Sequence, residues 1–274
     1  MAAYRASQTS AARRTQAHAT SGKCRPMKAK GVDFASARTP EGMRLYAIGD
    51  PHGRLDLLEG MHKRIADEIA RDKPDDWRVI HLGDYVDRGP DSRGVLDFLI
   101  TLKQRDERFV FLTGNHDQAM LHFLATAQVD GIFVRNGGVQ TVRSYGVDAF
   151  FESPEAAVRT RNQLMDVLPQ AHLRFLRNLD YSCSFGDFFF CHAGIRPGVA
   201  LDKQSRDDLI WIRGTFLNND DLFEKVVVHG HTPQTDPEIL RNRVNVDTGA
   251  CFTGRLTAFV AEGDVKQTFS VWEA

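Results

Sequence analysis

Nine polar residues in five short segments could carry hydrolytic chemistry. They are Asp50 and His52 in GDPHG, Asp84, Asp87 and Arg88 in GDYVDRG, Asn115 and His116 in GNHD, His192 in HAG, and His231 in HGHT. Two carboxylates, one amide oxygen and three imidazoles of this set could ligate metal. Mixed oxygen and nitrogen donors suit manganese, iron or zinc better than magnesium or calcium. Six donors exceed what one ion needs, whereas two ions about 3.5–4 Å apart with one shared carboxylate would use them all. Gly49, Gly83 and Gly114 each precede a candidate donor. A residue without Cβ permits the sharp reversal that aims the next side chain inward.

The elements around these segments explain how they could meet. Leu45–Ile48 reads as a short strand ending in Gly-Asp, and Leu55, Leu58, Met61, Ile65 and Ile69 then recur at helical spacing. Arg78–Leu82 repeats the pattern, followed by a helix capped by Ser92 with Val95, Leu96, Leu99 and Leu102 inward. Phe109–Leu112 forms a third strand, with a helix through about Gln128. Such β-α alternation predicts a parallel sheet, whose sites lie beyond the carboxyl ends of its strands. Helices follow over 154–168 and 170–178. Strands then dominate at 181–185, 188–192, 226–229, 244–247, 255–261 and 265–272, two of them running into His192 and His229/His231.

The five segments, in this order, resemble the serine/threonine protein phosphatases of the PPP family, within the calcineurin-like metallophosphoesterases. NGGVQTVRSYG (Asn136–Gly146), LIWIR (Leu209–Arg213) and NVDTGACFTGRLTA (Asn245–Ala258) are similar to the compact bacterial branch. The resemblance covers nearly everything after Arg44. It implies an α/β fold in which two mixed β-sheets pack as a sandwich flanked by helices, with the metal pair at the strand ends. Asp50 and His52 would hold one divalent ion, with Asp84 bridging to a second held by Asn115, His192 and His231. A hydroxide between the ions would attack phosphorus directly. His116, oriented by Asp87, would protonate the leaving group, a contribution of about 10²–10⁴-fold. Arg88 and, at a second position, Arg213 would clamp phosphate oxygens, with Asn115 also facing substrate.

Departures bear on the substrate groove. Asp117 stands where most protein-phosphatase relatives carry Glu, Pro51 replaces an aliphatic residue, Gly214-Thr215 replaces Glu-Pro, and Phe133 stands where tryptophan is frequent. The expected activity is hydrolysis of phosphoserine and phosphothreonine in proteins, since HGHT differs from the GHW-type ending of dinucleotide hydrolases. The alternative is hydrolysis of diadenosine tetraphosphate or another small phosphate ester or anhydride by the same two ions. GNHD is shared with the symmetrical diadenosine tetraphosphate hydrolases. Other polar residues receive plainer readings: His81, His122 and His172 as packed or surface histidines, His18 and His62 as exposed, His229 as a support behind the ligands, and Asp117 as an acid at a helix start.

Of the 274 residues, 42% are hydrophobic and 26% charged, as in water-soluble globular chains. No apolar run approaches the ~18 residues of a membrane span, so no membrane partner is expected. Four cysteines without a CxxC spacing imply neither a zinc-thiolate site nor a disulfide framework, in keeping with a cytoplasmic protein. Residues 1–40 hold eight Lys or Arg and one acid, against 27 basic and 35 acidic residues in the rest. The acidic body argues against general nucleic-acid binding. Residues 1–42 read as a disordered basic tail, with a transit peptide or a start at Met43 as alternatives, and 43–274 as the catalytic domain.

Overall fold

In chain order the elements of the computed structural model, which describes residues 31–273, are β1 (Met43–Ile48), α1 (Leu55–Asp72), β2 (Asp76–His81), α2 (Ser92–Arg105), β3 (Phe109–Phe111), α3 (Asn115–Thr126), α4 (Ile132–Arg135), α5 (Gly138–Ser144), α6 (Pro154–Val167) and α7 (Gln170–Arg177). There follow β4 (Ser182–Phe185), β5 (Phe188–Cys191), α8 (Arg206–Trp211), α9 (Gly214–Leu217), β6 (Val226–His229), β7 (Glu238–Ile239), β8 (Arg243–Asn245), α10 (Ala250–Thr253), β9 (Arg255–Glu262) and β10 (Val265–Trp272). Two five-stranded sheets result, ordered β10-β9-β1-β2-β3 and β4-β5-β6-β8-β7. Both are mixed. β1, β2 and β3 run parallel in the first, and β5, β6 and β8 in the second.

Alternation along the strands decides the layering. Leu45 and Ala47 of β1, Ile80 of β2 and Phe259 of β9 face Phe188, Phe190, Val226 and Val228 in a core between the sheets. Tyr46, Ile48 and Val79 point the other way, onto Leu58, Met61 and Ile65 of α1 and Val95, Leu96 and Leu99 of α2. Phe189, Cys191 and Val227 occupy the outer face of the second sheet, under Leu209 and Phe216. Each fully buried side chain of this size contributes about 1.5–3 kcal/mol. The expected sandwich is therefore observed, with helices outside both sheets. Among the described residues no helix is long and apolar enough to cross a membrane.

Several local expectations need correction. α2 is capped by Asp91, whose carboxylate accepts from Gly94 N at 2.7 Å, while the Ser92 hydroxyl turns inward to accept from Asp87 N. His62 is buried, stacked on His81 with centroids 5.0 Å apart, because it faces the sheet between Leu58 and Ile65. The boundary drawn at residue 42 also moves. Residues 1–30, including His18, lie outside the described residues, whereas 31–42 pack on the body. Val32 N donates to Phe223 O and Phe34 N to Arg241 O, both at 2.8 Å. Ala37 is fully buried, with Val32 and Phe34 against the inter-sheet core. Three apolar side chains with backbone partners suffice to fix a segment whose overall composition reads as polar.

Candidate metal centre and active site

The loops leaving β1, β2, β3, β5, β6 and β8 converge at one edge of the sandwich and bring Asp50, Asp84, Asn115, His192, His231 and Asp247 together. The backbone there is unusual. Seven described non-glycine residues have positive φ, and five of them are His52, Asp84, Asp87, Arg88 and His231. Such conformations cost on the order of 1–3 kcal/mol each, and strain of this kind concentrates at functional sites. Two glycines permit the crowding: at Gly83 (φ +105°) a Cβ would strike the Gly114 backbone, and at Gly230 it would strike Asp50 Oδ1.

Hydrogen bonds set the imidazole tautomers. His52 Nδ1 lies 2.8 Å from Val86 O and His192 Nδ1 3.0 Å from Leu82 O, so each N–H donates outward and leaves an Nε2 lone pair facing the centre. Asp84 Oδ2 sits 3.4 Å from both of these Nε2 atoms. His192 Nε2, His231 Nδ1 and Asn115 Oδ1 approach one another at 2.8–3.2 Å. Two donor clusters emerge, His52–Asp84–His116 and Asp84–His192–His231, with Asp84 common to both. Asp50 Oδ2 accepts from His231 N at 2.9 Å, while its buried Oδ1 has no hydrogen-bond partner.

Electrostatics also favour a cation. Burial, with Asp247 and Asp84 nearby, raises Asp50 well above the usual carboxylate range. Burial also raises Asp84, and it pushes Asp247 up to about 6 against a bond from Gly249 N. Burial lowers His52 far below normal, takes His192 down to about 3 and lowers His231. Neutral imidazoles keep their lone pairs, and massed buried carboxylates call for positive charge. A partnerless carboxylate oxygen, a shared carboxylate and inward lone pairs fit divalent metal. Two guanidinium groups also reach these imidazoles. Arg88 donates from Nη1 to His52 Nε2 at 2.8 Å and from Nη2 to His116 Nε2 at 2.9 Å. Arg213 Nε donates to His231 Nε2 at 3.0 Å.

His116 Nδ1 lies 2.7 Å from Asp87 Oδ2, and Asp87 Oδ1 accepts from Thr141 Oγ1 at 2.8 Å. Burial disfavours charge on either member, raising Asp87 and lowering His116. All the residues expected in the site are thus brought together. His229 is not among the clustered donors; its ring packs against Phe216 at 5.0 Å, on the far face of the second sheet. Asp117 does open α3, and it does more: its carboxylate accepts from the backbone N–H groups of Gly114, Asp84 and Tyr85 at 2.8–3.0 Å, tying the β2 and β3 loops together.

Asp247 and Thr141 were not singled out from sequence. Asp247 has the same signature as the others, an acid just past a strand and near a glycine. Thr141 carries no such signal, because its contact with Asp87 spans 54 residues of chain. The NGG segment is a turn that clasps Arg88, with Gly137 O accepting from Arg88 N at 3.1 Å.

A two-sheet sandwich with clustered metal donors at its strand ends defines a metallophosphoesterase, a class of hydrolase. The chain belongs to the calcineurin-like phosphoesterase family, which it matches over residues 43–261. A relative from Anoxybacillus flavithermus, named bis(5'-nucleosyl)-tetraphosphatase PrpE (asymmetrical), is 29% identical over 233 residues, covering 77% of this chain and 87% of the relative. A solved structure described as a "putative diadenosine tetraphosphatase" superposes with a TM-score of 0.58 at 18% identity, covering 84% and 95% of the two chains. A cold-active protein tyrosine phosphatase follows at 0.53 and 17%, covering 85% and 82%. Neighbours with such different names share the fold, and the fold does not select a substrate.

Proposed function

We propose that the protein hydrolyses the phosphate anhydride bonds of dinucleoside polyphosphates, using two divalent metal ions held by Asp50, His52, Asp84, Asn115, His192 and His231. Similarity over 77% of this chain to a relative named as a bis(5'-nucleosyl)-tetraphosphatase supports this substrate class over the phosphoproteins that HGHT favours. The geometry that carries the two-ion reading is Asp84 Oδ2, 3.4 Å from imidazoles on either side. Manganese, iron or zinc suits the donors.

When bound, the ions would neutralise phosphate oxygens and acidify the attacking water. The chain does the rest. Arg88 and Arg213, at the edge of the centre, turn their forks to phosphate oxygens. Asn115 and the arginines orient the anhydride. His116, with Nδ1–H fixed on Asp87, takes up a solvent proton at Nε2 once Arg88 turns away, and passes that proton to the departing oxygen. The test is a comparison of Mn²⁺-loaded protein on diadenosine tetraphosphate and a phosphoserine peptide. Cleavage of the nucleotide with the higher kcat/KM is expected. A higher value on the peptide would return the assignment to protein phosphatase.

A further inference from the structure

We infer that the cavity beside Trp211 receives a nucleobase of the substrate; this rests on the nucleotide reading above. The cavity holds about 400 Å³, within the range of small-ligand pockets. Gln118, Ala119 and His122 of α3 form one wall, Ile132 and Phe133 another, and Trp211 closes it. The floor is aromatic, with Phe123 and Phe133 stacked at 4.8 Å. Trp211 is 37% exposed despite its size.

The cavity borders the metal centre, as two observations show. The Trp211 ring stands edge-on to His231, with centroids 6.1 Å apart. α3 begins with Asn115 and His116 in the centre and carries His122 about 10 Å further along its axis. That is a span for a nucleoside attached to a phosphate held in the centre. Trp211 is also set firmly: α8 is capped by Ser205, which accepts from Asp208 N at 3.0 Å, and Asp208 pairs with Arg196 at 2.6 Å.

Charge decides which end of a nucleotide enters. Among the described residues no lysine or arginine lines the cavity, and Asp130 is one of its residues. Phosphate is therefore directed to Arg88 and Arg213, and a flat uncharged group to Trp211. The rim offers polar edges for such a group. Gln118, whose Nε2 donates to Thr113 Oγ1 at 3.0 Å, keeps its amide oxygen without a partner among the described residues, and Gln128 Oε1 lies 3.1 Å from His122 Nε2, leaving its amide N–H groups for a ligand. Stacking of a base on an aromatic ring is sequence-tolerant and can change affinity by about 5- to 100-fold.

The experiment compares wild type, Trp211→Ala and the cavity-filling Ala119→Leu, each Mn²⁺-loaded. Substrates are diadenosine tetraphosphate and inorganic tripolyphosphate, which has the anionic chain and no base. Adenosine is titrated separately into metal-free protein while tryptophan emission is followed. In both variants the ratio of kcat/KM for the nucleotide to that for tripolyphosphate should fall about tenfold or more, mainly through KM. Adenosine should quench wild-type emission and lose this effect in Trp211→Phe. An unchanged ratio in both variants, or quenching that persists in Trp211→Phe, would overturn the base site while leaving the nucleotide reading intact. A wild-type protein that cleaves tripolyphosphate and not diadenosine tetraphosphate would instead sink the nucleotide reading. A dimer that dissociates in Ala119→Leu would assign the cavity to a second copy and overturn the proposal.

Discussion

Asp50→Asn should move stability in opposite directions with and without metal. Asp50 and Asp84 flank His192, with Asp50 Oδ1 4.0 Å from Nδ1 and Asp84 Oδ2 3.4 Å from Nε2. Across the ring their oxygens are on the order of 8 Å apart, and at an effective dielectric of ~20 two such charges repel by about 2 kcal/mol. Asparagine keeps an oxygen for the His231 N–H and places its NH₂ where Oδ1 now lacks a partner, at a cost of about 1 kcal/mol. The metal-free variant should therefore melt no lower than wild type at pH 8, and up to about 4 °C higher. Metal at 100 times Kd stabilises by about 2.7 kcal/mol, or roughly 5–10 °C for a domain of this size. The variant should lose at least half of that shift, and metal analysis should count one ion fewer. Thermal melts of both proteins, with and without Mn²⁺, check this. A metal-free variant that melts well below wild type, together with a full metal shift, would refute both the charge argument and the ligand assignment.

Two further predictions address the acid and the core. His116→Asn should slow a phosphoserine peptide by about 10²-fold or more and diadenosine tetraphosphate by much less, because a nucleotide phosphate leaves more readily than an alkoxide; steady-state rates on both substrates with unchanged metal content check it. Burial lowers His62 to about 4, so the unfolded chain, near 6.5, binds the extra proton first as pH falls. The stability of the neutral state is intact above pH 6.5 and lost progressively towards pH 4, by about 3 kcal/mol. His62→Leu should reduce the drop in Tm between pH 7 and pH 5, and an unchanged drop would remove His62 from the acid response.

The catalytic edge was legible in the sequence because it is built from repeated local grammar. Gly-Asp after an apolar run marks β1 and β2, Gly-Asn-His marks β3, and three remote loops follow from three parallel strands. What local grammar misses is whatever depends on distant packing. His62 reads as a surface residue on an amphipathic helix until His81, with no hydrogen-bond partner for either nitrogen, is placed beside it. Residues 31–42 look like a tail until Phe223 and Arg241 supply their backbone partners. Thr141 steadies Asp87 across 54 residues of chain, a contact that no local pattern marks. The cavity at Trp211 belongs to the same group: GNHD opens α3 and LIWIR closes α8, yet the meeting point of α3, α4 and α8 is a matter of tertiary geometry. Clustered polar residues at strand ends can therefore be read from the chain, whereas a cavity such as the one at Trp211 is assembled between elements. That is why the five motifs pointed to the reaction class and left protein and nucleotide substrates in contention. It is also why a cavity-filling change at Ala119, which lies outside the five motifs, is the sharper probe of specificity.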